Sequence, residues 1–421
     1  MKTIKLLFIA LVFPVHLLMA QEAVTLEQCQ NWARENHPTL KQLDLYQQIL
    51  DLKNENNATS YLPQVNLNGQ ATYQSDVTKI GISLPNMKIP TVDKDQYKFY
   101  LDLKQTIWDG GLSKAKELLN NAENAGNLQQ TEVELYQVKE KVNQFFFTSF
   151  LIQENLKIME TKTETLNERR KLLESALNNG MVLSSELDQL LAELIKTEQT
   201  VIELQSNKET VLYALSILTG KTTEQFKNLV LPIESTNANL PLKRPEMDLF
   251  SKQNELLSAN SDLLQKQRNP KLFGFGQAGY GKPGLNMLNN SFDTYYMVGL
   301  GFSWNVFDWK TTSRQKQIIK LQQDMVQTKQ DAFVRNIDLA TDQQNKQINQ
   351  ISELLKTDQQ LITIRGRITK TSASKLENGT ITTADYIQDL NAETTARLML
   401  ETHKIQLKEA WIKLANIRGN Q

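Results

Sequence analysis

The sequence of 421 residues predicts a mainly α protein with a transmembrane β part, in which a unit of helix, β-hairpin and long helical hairpin occurs twice. Three observations support this fold class. Motifs of the first half recur in the second half at nearly constant offsets. Two segments in each half alternate between apolar and polar residues, as half-buried strands do. Long segments without proline carry apolar residues at every seventh position, as coiled-coil helices do.

The duplication is visible in short matching segments. Residues 68–73 (NGQATY) recur as residues 275–280 (FGQAGY), at an offset of 207 (275 − 68). Residues 107–109 (IWD) match residues 306–308 (VFD), at an offset of 199 (306 − 107). The offset changes between two predicted strands, where a loop can shorten without damage to the fold. We therefore expect the two repeats to contain the same elements and to combine into a single fold.

The repeat boundaries follow from these matches. We predict the first structural repeat over residues 21–219, a polar connector over residues 220–242 and the second repeat over residues 243–421. Residues 1–20 resemble a cleaved export signal, because a basic start precedes a mostly apolar segment that ends in small residues. The single cysteine, Cys29, cannot form an internal disulfide and is expected on the apolar face of a helix.

Each repeat begins with a helix and a pair of strands. A helix begins at Thr25, is interrupted near Pro38 and ends before Pro63, where the sequence changes to strict alternation. The predicted strands cover about residues 64–74, 96–107, 271–280 and 295–305. Eleven tilted residues match the span of an outer-membrane strand, and most are longer than ordinary strands. Phe273 and Phe275 interrupt the alternation, and we interpret them as part of an aromatic girdle at a membrane interface.

A helical hairpin follows each pair of strands, over about residues 112–218 and 311–417. Asp109 and Asp308 precede the hairpins and are interpreted as helix caps. The outgoing helices run without proline to Asn-Gly pairs at 179–180 and 378–379, which a glycine C-cap would explain. At about 1.5 Å per residue, each outgoing helix would be roughly 100 Å long. Three residues of the second hairpin keep the heptad spacing: Leu354, Leu361 and Ile368.

Charge and composition exclude several classes of protein. The 47 Lys and Arg residues balance 47 Asp and Glu residues, so there is no basic excess for binding nucleic acid. After removal of the signal only His37 and His403 remain, and no His/Cys cluster could bind a metal. Phosphate-binding loops and nucleophile elbows are absent from the sequence. We therefore expect neither an enzyme nor a cofactor.

Four strands are too few to close a membrane barrel, for which about eight is the smallest common number. An open strand edge in lipid would leave backbone groups without hydrogen bonds, so several chains must combine their strands. An ordered set of motifs then identifies a family. These motifs are residues 25–29 (TLEQC), 36–38 (NHP), 108–111 (WDGG) and 244–246 (RPE), with the two Asn-Gly turns. On these residues the chain resembles the TolC family of outer-membrane efflux proteins.

The resemblance implies a homotrimer in the cell outer membrane. Its twelve-stranded β-barrel would be continuous with a periplasmic α-helical coiled-coil barrel. It further implies docking to a periplasmic adaptor (membrane fusion) protein and, through the adaptor, to an inner-membrane pump. The implied function is the exit duct of a tripartite efflux or type I secretion system. Drugs, metal ions and polypeptides all remain open as cargo.

The resemblance also places the working residues at the two turns of the helical hairpins. The residues that would contact the adaptor are Gly180, Met181, Val182, Leu183, Ser184, Gly379, Thr380, Ile381, Thr382 and Thr383. Glu186 and Asp385 occupy the positions of acidic residues that ring a closed pore. Gln388 stands where a second acid is common, and Asp389 is one residue beyond. By the strand alternation, the barrel lumen would be lined by Lys98, Asp102 and Lys104.

Two alternatives stay open at this point. Thr382 with Asp385, and Ser185 with Asp188, fit helix-capping patterns, so these acids could cap helices, gate a pore or do both. The chain could also be a structural coiled-coil envelope protein or adhesin stalk without a channel. That second alternative explains the helices but leaves the paired alternating strands unexplained.

Overall fold

The computed structural model describes residues 23–78, 91–232 and 240–420. The predicted signal, residues 1–20, lies outside the described residues, as do parts of the loop between the first two predicted strands and of the connector. The described chain contains seven α-helices and four strands. The helices are α1 (Leu26–Asn36), α2 (Lys41–Ala58), α3 (Leu112–Asn178), α4 (Ser184–Thr219), α5 (Pro245–Gln267), α6 (Thr311–Glu377) and α7 (Thr383–Arg418). The strands are β1 (Gln64–Tyr73), β2 (Asp95–Trp108), β3 (Lys271–Lys282) and β4 (Asp293–Ser303).

Local signals set the first helices. The Thr25 side chain accepts a hydrogen bond from the Gln28 backbone, and the Gln28 side chain accepts one from the Thr25 backbone, which is the expected capping box at the start of α1. Pro38 begins a short 3-10 turn that separates α1 from α2. Pro63 lacks a backbone N–H and follows the last helical turn, so the chain leaves the helix there and enters β1.

The four strands form one antiparallel sheet in the order β1-β2-β3-β4. One row of residues across it is apolar, with Leu67 opposite Leu101, Leu101 opposite Ala278 and Ala278 opposite Tyr296. The face that contains this row carries exposed side chains from every strand, although in β3 only Ala278 and Tyr280 of this face are exposed. Large apolar residues exposed on this face are Val65, Leu67, Tyr73, Tyr97, Phe99, Leu101, Leu103, Tyr280, Tyr296, Val298, Leu300 and Phe302.

The girdle interpretation of two phenylalanines is wrong. Phe275 lies opposite Lys104 of β2, and Phe273 lies opposite Thr106, so both belong to the face turned away from the exposed apolar residues. On β4 their partners are Gly299 and Gly301. A Cβ atom on either glycine would come within 2.6 Å of a phenylalanine ring carbon. The rings therefore cover glycines of the neighbouring strand, a packing arrangement that alternation alone does not reveal.

The described chain divides into two compact units that both draw on both repeats. One unit comprises the described residues of 1–37, 135–242 and 340–421, and the other comprises those of 38–134 and 243–339. The second unit holds the sheet, α2 and α5. The first unit holds α1, α4, α7 and a core of buried side chains around Phe146, whose ring contacts those of Phe147 and Phe150. Cys29 is fully buried in this core.

The two outgoing helices, α3 and α6, differ in how far their heptad residues are buried. In α3, the heptad residues Val138, Ile152 and Leu166 are all buried. In α6, by contrast, the residues Leu354, Leu361 and Ile368 are 36–38% exposed. The heptad spacing in α6 therefore does not mark a face that is buried within one chain. Among the residues that the structure describes, none of the helices combines the length and the hydropathy needed to span a bilayer.

Candidate functional site

The two hairpin turns, which we call the tips, have the same backbone. The first tip covers residues 179–183 and the second covers residues 378–382. Gly180 has a φ of +69° and Gly379 a φ of +67°, a region that favours glycine. The next N–H, from Met181 or Thr380, donates to the carbonyl five residues earlier at 2.9 Å in both tips. Each outgoing helix therefore ends in a Schellman-type cap.

The start of the returning helix differs between the tips. At the second tip, the Asp385 N–H donates to Thr382 Oγ1 at 3.2 Å and the Thr382 N–H donates to Asp385 Oδ2 at 3.1 Å, which forms a capping box. The Thr382 hydroxyl also donates to this carboxylate, and these bonds lower the pKa of Asp385. At the first tip, Leu183 is the N-cap and has no side-chain hydrogen bond.

The predicted cap of Ser185 with Asp188 is therefore absent. α4 begins at Ser184, so Ser185 lies inside the first turn rather than before it. A residue inside the helix has helical backbone angles and cannot take the extended conformation of an N-cap. The pattern of Ser followed three residues later by Asp is met by chance here.

Glu186 lies in the first turn of α4, beside the first tip, but it caps α7, the helix that follows the second tip. Its Oε2 atom accepts a hydrogen bond from the Thr383 N–H at 2.6 Å. Thr383 is the first residue of α7, so the carboxylate meets a free N–H at the positive end of the helix dipole. This bond ties the two hairpins of one chain to each other.

A second link joins the hairpins just above the tips. Arg169 of α3 donates from Nη1 to Oε1 of Glu377, the last residue of α6, at 2.5 Å. The same guanidinium lies 5.4 Å from the ring centroid of Tyr386 on α7. Although burial opposes the charged form, the hydrogen bond with Glu377 raises the pKa of Arg169. Arg169 therefore contacts two helices of the other hairpin as a cation.

The remaining predicted gate residues have different surroundings. Asp389 accepts a hydrogen bond from the Ser372 hydroxyl with its side chain and one from Thr369 with its backbone carbonyl. Gln388 is exposed on α7. Of the four predicted gate residues, Glu186, Asp385 and Asp389 are thus engaged within the chain.

The residues predicted to contact the adaptor surround a cleft of about 440 Å³ between the tips. Eight of the ten line it: Met181, Val182, Leu183, Gly379, Thr380, Ile381, Thr382 and Thr383. Gly180 and Ser184 are exposed beside it. Met181 and Leu183 are 73% and 72% exposed, so the first tip presents apolar side chains where the second presents threonines.

The three residues predicted to line a lumen share one face of the sheet. Asp102 accepts a hydrogen bond from Gln277 Nε2 at 3.2 Å. The Lys104 ammonium lies 4.4 Å from the centroid of the Phe273 ring. Lys98 lies two positions from Tyr100 on the same face, opposite Gly281 of β3. This face is thus polar and charged, it also carries the rings of Tyr100, Phe273, Phe275 and Tyr295, and it is the reverse of the exposed apolar face.

Two functional candidates at the tips are not evident from the sequence. Arg169 and Glu377 come together because two hairpins approach, and no local motif encodes that approach.

In residues 23–78, 91–232 and 240–420, no three His, Cys, Asp or Glu side chains lie close enough to hold a metal ion. The tips consequently offer hydrogen bonds, charge and apolar contacts.

Comparisons with known proteins agree with this geometry. Residues 242–420 match the model of the outer membrane efflux protein family. No curated protein sequence matches the chain significantly.

Among solved structures, the fold is similar to the CmeC outer membrane channel of Campylobacter jejuni, with 18% identity, a TM-score of 0.63 and coverage of 94% of this chain and 85% of that one. It is also similar to the outer membrane protein VceC of Vibrio cholerae, with 14% identity, a TM-score of 0.62 and coverage of 94% and 96%. The MtrE outer membrane channel of Neisseria gonorrhoeae, in its open state, has 13% identity, a TM-score of 0.62 and coverage of 94% and 88%.

These structural likenesses show the fold, and the family match covers the second repeat. Together they support the resemblance drawn from the sequence: residues 242–420 match the outer membrane efflux protein family, and the chain has the fold of the outer membrane channels named above.

Proposed function

We propose that this chain is the outer-membrane exit duct of a tripartite efflux or type I secretion system. Three copies combine their strands into a twelve-stranded barrel in the outer membrane, and their helical hairpins continue into the periplasm. The tips dock to a periplasmic adaptor, which connects the duct to an inner-membrane pump. The chain passes solutes and carries out no chemical reaction.

The sheet carries this proposal. One face carries exposed apolar side chains from all four strands, while the other face holds Lys98, Asp102 and Lys104. Such a sheet fits lipid on one side and water on the other. Among the described residues its outer strands, β1 and β4, each pair on one side only, and lipid does not tolerate an open edge. A barrel closed by further copies would pair both edges of the sheet and would keep its apolar face in lipid and its polar face in water.

The tips supply the gate in this proposal. Glu186 with Thr383, and Arg169 with Glu377, hold the two hairpins of one chain together. A tip must open for large solutes to pass, so these bonds must break or be exchanged for contacts with the adaptor. The exposed side chains of Met181 and Leu183 are suitable apolar contacts for it.

Planar-bilayer recording of the purified full-length protein tests this function. The wild type should insert and give small, uniform conductance steps. Glu186→Ala combined with Arg169→Ala should raise the conductance of each step, because both links between the hairpins are lost. Asp188→Ala is the matched control, since Asp188 is an exposed acid one turn from the tip, and it should leave conductance unchanged.

Two results would contradict the proposal. An unchanged conductance in the double variant would exclude these residues as gate links. Absence of any channel, with release of the protein from membranes by carbonate, would instead favour the structural coiled-coil alternative.

A further inference from the structure

The loop that joins β3 to β4, residues 283–292, has an unusual composition for a connection between strands. It contains no charged residue, whereas residues 74–94, which join β1 to β2 at the same end of the sheet, contain charges of both signs. We call residues 283–292 the apolar loop. Its large apolar side chains are 44–57% exposed, and they are Leu285, Met287, Leu288 and Phe292. Such a concentration of exposed apolar groups in one short loop indicates contact with something other than water.

Phe292 attaches the end of the apolar loop to the exposed apolar face of the sheet. Its ring stacks on the ring of Tyr280, with centroids 5.3 Å apart, and on that of Tyr97, with centroids 6.3 Å apart. Both tyrosines belong to the exposed apolar face, on β3 and β2. Phe292 therefore continues, beyond the ends of the strands, the surface that faces lipid in the proposed function.

The same face becomes charged at this level. Asp95 lies opposite Tyr73 and Lys282 lies opposite Tyr97, so both charged residues share the face of these tyrosines. The Lys282 ammonium donates to the carboxylate of Asp93 at 2.7 Å. Tyrosines beside charged residues are typical of the level of the lipid headgroups. The apolar loop is thus attached where a membrane would meet water.

Asparagine side chains bond part of the backbone of the apolar loop. The Leu288 N–H donates to Oδ1 of Asn286 at 3.0 Å, and the Asn289 N–H donates to the Asn286 carbonyl at 3.1 Å. The Ser291 N–H donates to Oδ1 of Asn289 at 3.2 Å. Backbone groups without hydrogen bonds are costly near lipid, and irregular segments stay out of the hydrocarbon core. These bonds lower that cost at the boundary between headgroups and acyl chains.

We propose that the apolar loop binds the lipid of the outer leaflet, at the boundary between headgroups and acyl chains. Leu285, Met287 and Leu288 contact the lipid, and Phe292 joins them to the surface of the barrel. The inference rests on the proposed function, because the sheet must stand in a membrane. Lipid is the occupant because the loop continues the apolar face of the sheet and carries no charge that would orient a protein partner.

Fluorescence quenching in phosphatidylcholine vesicles tests this contact in the full-length protein. A bimane label on Leu288→Cys should lose most of its emission to lipids that carry a nitroxide near the headgroup, and little to iodide in water. Thr91→Cys is the matched control, since Thr91 is exposed in the other loop, and its label should respond to iodide instead. Cys29 is fully buried, and burial raises the pKa of its thiol to about 12, so it should not be labelled.

Two adjacent positions of β4 report on the proposed function separately. Val298 lies on the exposed apolar face and Met297 on the reverse face. A label at Val298→Cys should be quenched by nitroxides deep in the acyl chains, and a label at Met297→Cys by iodide. If Val298→Cys responds to no lipid nitroxide, the proposed membrane barrel is contradicted.

If the two β4 labels behave as expected, the label at residue 288 decides the proposal by itself. Quenching of this label by iodide alone would show that the apolar loop is in water and would overturn the contact with lipid. Protection from both quenchers would also overturn it, because protein rather than lipid would then cover the loop.

Charged substitutions within the apolar loop give a second readout. Leu285→Asp with Met287→Asp should move the label at residue 288 from lipid to water, because carboxylates favour hydration. Quenching by the headgroup nitroxide should fall and quenching by iodide should rise, while the label at Val298→Cys stays unchanged. Thr91→Asp is the matched control and should alter neither signal. Lipid quenching that persists despite both charges would show that these side chains do not hold the loop in the membrane.

Discussion

The two repeats enter their long helices through the same turn but with different residues. The first repeat passes from β2 to α3 through Gly110 and Gly111, and the second passes from β4 to α6 through Trp309 and Lys310. All four residues have positive φ values, between 55° and 86°. An aspartate fixes the turn in each case. The Asp109 carboxylate accepts hydrogen bonds from the backbone N–H groups of residues 111 and 113. The Asp308 carboxylate accepts the equivalent bonds from residues 310 and 312.

The difference lies in what surrounds each turn. The first turn is pressed against the junction of α5 and β3, where Asn269 donates to the Gly110 carbonyl at 2.6 Å. In the second turn Arg268 lies 3.7 Å from Asp308, but Trp309 and Lys310 are exposed in the single chain. The heptad residues of the two long helices differ in the same way: Leu166 of α3 is fully buried, whereas Leu361 of α6 is 38% exposed. The turn and the outgoing helix of the first repeat are therefore covered within one chain, whereas their equivalents in the second repeat are more exposed.

The largest effect is expected from placing a side chain in the first turn. Gly110→Ala adds a Cβ atom where Asn269 and Pro270 leave no room, in a left-handed conformation. Conformational strain and overpacking together should lower the free energy of unfolding by about 3 kcal/mol or more. Thermal unfolding followed by circular dichroism in detergent measures this loss.

Gly111→Ala is the matched control for that variant. Gly111 has a φ of +86°, but its nearest neighbour would be a methylene of Lys266 at 3.7 Å. Only the conformational strain remains, about 1–2 kcal/mol. Equal losses for the two variants would show that the contact with the β3 junction is unimportant and would remove the basis for contrasting the two turns.

A smaller effect should follow from acid at the same turn. Asp109 is 5% exposed, and burial alone would raise the pKa of its carboxyl group, but hydrogen bonds from Ser113, Tyr61 and Gly111 outweigh burial and lower this pKa to about 2. A lowered pKa in the folded state stabilises the protein above the pKa of the unfolded chain, about 3.9. This stabilisation should be lost as the pH falls from about 4 to about 2.

Asp109→Asn tests whether the Asp109 carboxylate causes this loss of stability in acid. The variant should lose about 2 kcal/mol at neutral pH, because hydrogen bonds to a charged acceptor are replaced by weaker ones. Its melting temperature should then fall less than that of wild type between pH 4 and pH 2. Asp308→Asn serves for comparison, since hydrogen bonds from Thr312 also lower the pKa of Asp308. A wild-type protein with constant stability over this range would contradict the role given to Asp109.

The fold is predictable from the sequence where the signal is local. Pro63 and the Asn-Gly pairs end helices through their own backbone preferences, and the bounds of α3 and α6 follow from them. The capping box of Thr382 with Asp385 needs only four consecutive residues and was recognisable as a pattern. Alternation likewise identified the apolar face of the sheet, because side chains of a strand point to opposite faces in turn.

Features that depend on distant partners are not predictable from the sequence in this way. β4 was expected to reach residue 305 but ends at Ser303, because its last residues have no neighbouring strand within the described chain. The bond between Glu186 and Thr383 depends on how two hairpins approach each other, and so does that between Arg169 and Glu377. Phe273 and Phe275 were misread because their glycine partners lie on another strand.

The smallest effect on stability is expected at the tips, where substitutions can exchange the N-caps of the two repeats. Leu183→Ser would give α4 the side-chain cap that Thr382 gives α7, and a serine N-cap contributes about 1 kcal/mol. Hydrogen exchange at residues 184–187 should become about fivefold slower, because the first turn opens less often. Thr382→Ala should do the reverse at residues 383–386.

Stability and docking should then respond in opposite directions to Leu183→Ser. Leu183 is 72% exposed beside the cleft between the tips, so its loss removes apolar area from the surface proposed to meet the adaptor. We expect slower exchange together with weaker capture by the adaptor, whereas Thr382→Ala should affect exchange more than capture. Unchanged capture by Leu183→Ser would indicate that Leu183, whose counterpart in the second tip is Thr382, is not the contact. Weaker capture with faster exchange would instead show that Leu183 stabilises the turn itself, in spite of its exposure.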